Sequence, residues 1–395
     1  MTAPPAVRPD RGGETPARRT SRAALAGCGA VSSIGRGVED CFSGLLAGRD
    51  GLADLRVFDR DSFGARSAYE IDDRPDGQDR PWRATALLVE AVAEACAAAG
   101  IDRLAGVPVL VGTGLREMRT AELAWLQGRS VDPRRLHFGP ALADAFGADD
   151  VHTFSNACSA SLYAAGLGLD LLGAGHDAVV VAGVDVLTAS MFGLLDRVHL
   201  EAPERVRPFD AARRGVLIGE GSAAVVLTRG QAAAGGTTLR AVALGCDAYH
   251  VTAPDPAGIE HTMRSALAEA AIAPGDVDVV YTHGTGTLLN DDAEATALGR
   301  VFSDAGARPV MAAVKSMTGH TSGGSGLFSL VMAERSLHTG DVPGVLGLDE
   351  LCDAAAGLRL SLRPQHVDGA RVAQVDAFGF GGLNAVAVLG REGPA

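Results

Sequence analysis

From Ser159 to Leu172 the chain is small or apolar on nearly every face, with Asp170 the exception. A helix with that pattern has no side to offer water, so it must sit in the middle of a domain. Its expected caps are Ser155 or Asn156 in front and Gly173 or Gly175 behind. The next run, Asp177–Val186, contains Ala178-Val179-Val180-Val181-Ala182-Gly183-Val184 and reads as a strand buried on both faces. Both need a large core, and 395 residues can supply one, as a single big domain or two closely packed halves. The core must be Ala, Val and Leu, because 47% of residues are hydrophobic but only 5% aromatic. Fifty-one glycines point to many tight turns and close backbone approaches.

Periodicity predicts a strand from Ala23, helices at 36–47 and 81–99, a strand at 107–112 and a charged, helical region to about 146. After the central helix and strand come strands at 222–228 and 238–246, joined by the polar loop 231–236. A helix at 257–272, strand at 277–282, helix at 291–305 and strand at 309–314 follow. A helix at 326–338 and strands near 371–376 and 385–389 complete the chain. Two successive halves, 23–235 and 236–395, each mix strands with helices and suggest an α/β architecture from a duplicated unit. Element order alone supports the duplication. Residues 1–22 hold two acids, five arginines and four prolines without an apolar stretch, the composition of a disordered tail and neither signal nor anchor.

A net charge of −13 argues against a general nucleic-acid binder, since phosphate neutralisation needs a basic face. The six cysteines show no CxxC pair and no short spacing to histidine, which speaks against a zinc site or a disulfide framework. No uninterrupted apolar run reaches the ~18 residues of a membrane span. A reducing, cytoplasmic location fits best.

Lysine occurs once, at Lys315 in Val314-Lys315-Ser316-Met317-Thr318-Gly319-His320, while every other basic residue is arginine. Drift on a solvated loop is the bland reading; a need for a compact ammonium is the other. Cys158 falls at the start of the central helix, where free amides and the helix dipole are expected to lower its thiol pKa. Inert burial is the usual fate of cysteines such as Cys28, Cys96 and Cys246. His283 ends the strand at 277–282 and is followed by Gly284-Thr285-Gly286-Thr287; His320 lies in a second strand-to-helix loop. Ligands gather at strand ends of α/β sheets. For His283 the plain alternative is a strand-end hydrogen bond, and for Asn290 or Asp291 a helix cap. Phe378-Gly379-Phe380-Gly381-Gly382-Leu383-Asn384 is a glycine hinge that can donate amides and swing. A cysteine, two histidines and a lysine at element ends form one acyl-transfer site.

Five stretches in this order resemble the β-ketoacyl-acyl-carrier-protein synthases, the elongating condensing enzymes of fatty acid and type II polyketide synthesis. They are Ala157-Cys158-Ser159; Arg207-Pro208-Phe209-Asp210 with Gly219-Glu220-Gly221; His283 to Thr287; Lys315 to His320; and Phe378 to Asn384. The likeness runs from about 24 to 390. It implies the five-layered αβαβα thiolase fold and a dimer, homo- or heterodimeric, with the strand at 177–185 at the interface. It implies that Cys158 carries the acyl group and that the amides of Cys158 and Phe380 form an oxyanion hole. Phe380 would be the gate residue, in a loop with Phe378, Gly379 and Gly381. His283 and His320 would hold a malonyl thioester and stabilise the enolate left by CO2, and Lys315 would pair with Glu294. Thr285 and Thr287 would bind the phosphopantetheine arm of an acyl carrier protein. No metal and no bound cofactor is implied.

Asn156, Leu217, Gly323-Gly324-Ser325-Gly326 and Asp376-Ala377 depart from the common pattern and hint at a specialised pathway. They motivate a second reading, transfer to an amine or alcohol, or ring closure, without decarboxylation. A third makes the chain one subunit of a ketosynthase/chain-length-factor pair, whose non-catalytic member typically lacks the nucleophile. Arg60, Arg66, Arg205 and Arg207 are candidates for an arginine patch facing an acidic carrier. The expected floor of the acyl pocket is Gly114–Met118 with, across the interface, His137-Phe138; Arg116 and Glu117 could be exposed instead.

Overall fold

The computed structural model describes residues 21–74, 78–198 and 201–393. The expected tail lies outside them except for Ser21 and Arg22, whose carbonyl accepts the Gly230 amide at 3.0 Å. The main strands are β1 (Ala23–Ser32), β2 (Val109–Gly112), β3 (Val151–Phe154), β4 (Ala178–Asp185), β5 (Gly221–Arg229), β6 (Thr237–Cys246), β7 (Val279–Tyr281), β8 (Val310–Ala312), β9 (Val372–Gly379) and β10 (Leu383–Arg391). They run across the molecule in the order β8-β7-β9-β10-β6-β1-β5-β4-β2-β3.

The first half therefore reads, from the centre outwards, first-fifth-fourth-second-third strand, and the second half reads the same. In both, the second strand is parallel to the third and fourth, and the fifth is antiparallel to the fourth and first. The halves meet where Ala23 and Ala24 pair with Leu239 and Thr238. Symmetry absent from residue identities is thus written in strand order.

Helices α1 (Arg83–Ala99), α2 (Ala160–Ala174), α3 (Pro256–Ala270), α4 (Leu288–Leu298) and α5 (Ser325–Thr339) supply three further layers. Helix α1 covers β1, β5 and β4 on one outside, while α3 and α4 cover the other. Between the sheets lie α2 and α5, in contact with each other and with strands of both halves. This is the five-layered αβαβα arrangement. The stretch Ala157–Ala174 is long and apolar enough to cross a membrane by composition, but here its faces are packed between sheets. Leu162, Ala164, Ala165 and Leu172 join Leu330, Val331 and Tyr281 in the inter-sheet core. Each fully buried aliphatic side chain of this kind stabilises the fold by about 1.5–3 kcal/mol.

Gly175 ends α2 in the left-handed conformation, as one of the expected caps, while Gly173 lies inside the helix. The strand at 177–185, expected at the interface, has no free edge to pair with a second subunit. Each residue of β4 from Ala178 to Asp185 pairs with β5, and Val180 to Gly183 also pair with β2. The free edge on that side belongs to β3.

Candidate active site

Strands β2, β3, β7, β8 and β9 send their carboxyl ends to one region, where ligands of α/β sheets bind. Cys158 follows β3, His283 follows β7, Lys315 and His320 follow β8, and Phe380 follows β9. The Cys158 sulfur and ring nitrogens of His283 and His320 all lie within 4.8 Å of one another.

Cys158 sits in a single 3₁₀ turn, Ala157–Ser159, one step ahead of α2 rather than in its first helical turn. Ala157 has φ of 50°, a left-handed conformation uncommon outside glycine, and stores strain directly before Cys158. Neither expected front cap forms: Ser155 donates to the Gly114 carbonyl at 3.5 Å, and Asn156 makes no side-chain cap. Gly379 lets the end of β9 slide past this turn, since a Cβ there would stand 3.2 Å from the Cys158 nitrogen.

The sulfur is not the ionised thiolate expected at a helix mouth. Enclosure by protein pushes the thiol up to about 11, Asp185 adds to the rise, and Lys315 and the amides of Cys158 and Phe380 oppose it. Desolvation exceeds the local dipoles here. The two amides are nonetheless turned toward the sulfur, where an oxyanion hole needs donors. Phe380 is 49% exposed, while Phe378 is buried with its ring centroid 5.8 Å from that of His283.

Both histidines are buried, and burial, then Lys315, holds their pKa values well below the ordinary range, His320 adding to the effect on His283. They are neutral at neutral pH. Their rings stand edge to face, centroids 5.4 Å apart. The Lys315 ammonium is 3.4 Å from His283 Nδ1 and also donates to the His283 carbonyl. Nδ1 therefore acts as acceptor, which leaves the ring proton on Nε2. His320 has both ring nitrogens buried without a partner. Its backbone is held on both sides, His320 N–H donating to Leu217 O at 2.9 Å and Gly219 N–H to His320 O at 3.1 Å. The ring is positioned yet left free for a ligand.

The sole lysine is 3% exposed, so drift on a solvated loop does not describe it. Its expected direct pairing with Glu294 is replaced by an indirect link. Glu294 accepts the amides of His283 at 2.6 Å and Gly284 at 2.8 Å, while Lys315 binds the His283 carbonyl and ring. The His283 peptide thus lies between the two charges. Burial raises the Glu294 pKa and lowers that of Lys315. Thr285 and Thr287 join hydroxyls at 2.9 Å, and Thr287 also caps α4 by accepting the Asn290 amide at 3.3 Å.

One buried acid escaped the sequence reading and another was misread. Asp185, at the end of the otherwise apolar β4, accepts from Thr113 Oγ1 at 2.8 Å and from the amides of Gly114, Leu115 and Gly323 at 2.7–2.8 Å. It ties the His320 loop to the loop after β2. A Cβ on Gly323 would stand 2.5 Å from the Thr113 carbonyl carbon, which accounts for glycine there. Asp291 is no helix cap but a clamp, accepting the amides of Phe209, Thr285 and Gly286. The signal was available: an acid at the end of a doubly buried strand is costly unless it is bonded.

Other expectations need correction. Phe138 is fully buried in this chain's own outer core, so it does not reach across an interface; His137 is exposed. Glu117 is buried, bonded to the Thr85 amide and Thr120 hydroxyl, whereas Arg116 is exposed. The four candidate arginines are paired within the chain: Arg60 with Asp54, Arg66 with Asp61, Arg205 with Asp50 and Arg207 with Asp349. They offer no bare cationic patch.

The beta-ketoacyl synthase N-terminal domain model matches residues 20–233 and the C-terminal domain model residues 237–349. The chain belongs to the β-ketoacyl synthase family, condensing enzymes of the acyltransferase class with the thiolase fold. It is similar to 3-oxoacyl-[acyl-carrier-protein] synthase 2 of Rhizobium meliloti (strain 1021), 30% identical over 94% of this chain and 99% of that protein. Nodulation protein E of Rhizobium meliloti is 34% identical over 59% of each chain. The solved ishigamide ketosynthase/chain length factor is 31% identical, with a TM-score of 0.83 over 95% of this chain and 100% of that one.

Proposed function

We propose that the protein condenses carrier-bound acyl groups: Cys158 takes an acyl group from a carrier thioester and delivers it to a malonyl thioester, with loss of CO2, giving a 3-ketoacyl product. The carrying observation is the convergence of one sulfur and two neutral imidazoles within 4.8 Å. In acylation the Cys158 S–H gives up its proton as sulfur attacks the thioester carbonyl, and the departing carrier thiolate takes a proton, so none is consumed overall. The oxyanion formed in between lies where the amides of Cys158 and Phe380 point. Neutral His283, its proton on Nε2, donates to the malonyl thioester oxygen and stabilises the enolate as CO2 leaves; His320, with no partner of its own, takes the same role from the second side. A protonated histidine would attract the malonyl carboxylate and hold it back from leaving, so low proton affinity serves the step.

The donor arm is the phosphopantetheine of an acyl carrier protein, with Thr285 and Thr287 its hydrogen-bonding partners. The relative named for acyl carrier protein supports this. The free β3 edge suits pairing with a second subunit, a second copy or a cysteine-less homologue, and co-purification distinguishes them. Intact-mass analysis with a panel of acyl-carrier thioesters tests the reading. One acyl adduct mapped to Cys158, discharged by malonyl carrier with CO2 release, is expected. An adduct discharged only by amines or alcohols, without CO2, would overturn it.

A further inference from the structure

The His320 ring makes no hydrogen bond of its own, so its backbone and its packing set where it stands. That backbone lies in a row of three chain segments. Ile218 bridges to His320 on one side of the row, and Gly219 bridges to Tyr69 on the other. Tyr69 N–H donates to Ile218 O at 3.0 Å, and Glu220 N–H donates to Tyr69 O at 3.2 Å. The row is tightly pressed. A Cβ on Gly219 would stand 2.0 Å from the Thr318 carbonyl oxygen, and one on Gly319 would stand 2.4 Å from the Tyr69 ring.

Glu220, the next residue in this segment, is fully buried. Its two oxygens take four donors. Oε1 accepts Ile71 N–H and Arg83 Nη2, each at 2.8 Å; Oε2 accepts Arg74 Nη2 at 2.9 Å and Arg83 Nε at 3.0 Å. Arg83, the first residue of α1, thus grips the carboxylate with a two-pronged fork. Burial would raise the Glu220 pKa, but Arg74 and Arg83 outweigh it and keep the group ionised. Ile71 lies two residues beyond Tyr69, so one carboxylate fastens two of the three segments to the start of α1. Both arginines also have another anion, Arg74 meeting Asp79 and Arg83 meeting Asp73, each at 2.7 Å. Removing the Glu220 charge therefore loosens the row without stranding a buried cation.

We propose that Glu220 is a positioning residue for His320: by fastening the row of Tyr69, Gly219 and His320 to α1, its carboxylate holds an otherwise unbonded imidazole within 4.8 Å of the Cys158 sulfur. The inference rests on the condensation reading, in which Cys158 serves acylation and His320 serves decarboxylation. Cys158 sits on its own turn, Ala157–Ser159, outside the row. Loss of the anchor then lets the ring drift and slows CO2 release, while the thiol still takes up its acyl group. E220Q keeps the shape of the side chain, but an amide nitrogen accepts no hydrogen bond, so two of the four donors lose their acceptor.

Full-length E220Q is expected to form the Cys158 adduct at the wild-type rate and to release CO2 from malonyl carrier about 10–100-fold more slowly, the scale of a misplaced group. Equal loss in both steps, or CO2 release at the wild-type rate, overturns the proposal. Magnetic resonance of protein with labelled histidines reads the ring itself. The His320 ring signals, assigned by their loss in H320Q, are expected to move in E220Q; unmoved signals overturn the proposal. If E220Q does not fold, R83K carries the same comparison, since lysine keeps the charge but not the fork. Slower CO2 release with unchanged acylation is again expected, and no such split overturns the proposal. No CO2 from wild type at any pH would sink the condensation reading, while the histidine signals would still decide what places the ring.

Discussion

The third strand of each half is followed by a loop and then a central helix, and the two loops have been put to opposite uses. After β3 the loop strains Ala157 and presents a sulfur with two amides turned toward it. After β8 the equivalent loop presents an imidazole with no polar partner and, five residues earlier, a buried ammonium. The two-half scaffold thus places a sulfur from one half against two imidazoles and an ammonium from the other. The loops after the second strands differ as well: β7 leads to His283, while β2 leads to Thr113 and Gly114, tied to Asp185. On the proposed reading, the first half would build the acyl seat and the second half the decarboxylating wall.

C158A should separate the halves most sharply, losing adduct formation altogether and product formation by up to about a million-fold, as measured by single-turnover mass analysis. H320A should keep the Cys158 adduct but lose CO2 release by about 10²–10⁴-fold; loss of both together would mean the two loops do not divide the labour. K315R should fail to restore CO2 release, at a deficit of about 10²–10³-fold, because a planar fork does not replace a buried point charge. In K315M, alkylation of Cys158 by iodoacetamide should shift to still higher pH, since Lys315 opposes the rise of the thiol toward about 11. Wild-type alkylation should itself climb through the alkaline range; a plateau at neutral pH would restore the ionised sulfur. G323A should change stability rather than chemistry, lowering it by about 1–3 kcal/mol in thermal melting, because the new methyl meets the Thr113 backbone.

The layered α/β core was legible because it rests on period and polarity: the all-apolar helix at 159–172 and the doubly buried strand after it both appear as expected. Strand β3 was not read, although it leads to Cys158, because Val151-His152-Thr153-Phe154 is a short edge strand, only partly buried, with no apolar run to mark it. Site residues were legible as motifs, and their meeting in space follows from parallel strands ending together. Their charge states were not. Whether a helix start lowers a thiol pKa or enclosure raises it depends on how much protein surrounds the sulfur, which local spacing does not encode. The same holds for Lys315 and Glu294, whose link through the His283 peptide is a tertiary arrangement.

The most direct test of the two-loop division follows one turnover on protein preloaded with acyl group at Cys158. Malonyl carrier labelled at its free carboxyl is added, and adduct loss and labelled CO2 are measured together. Equal amounts, released in step, are the expected result. Adduct loss without labelled CO2, or CO2 from a protein still fully acylated, would contradict it.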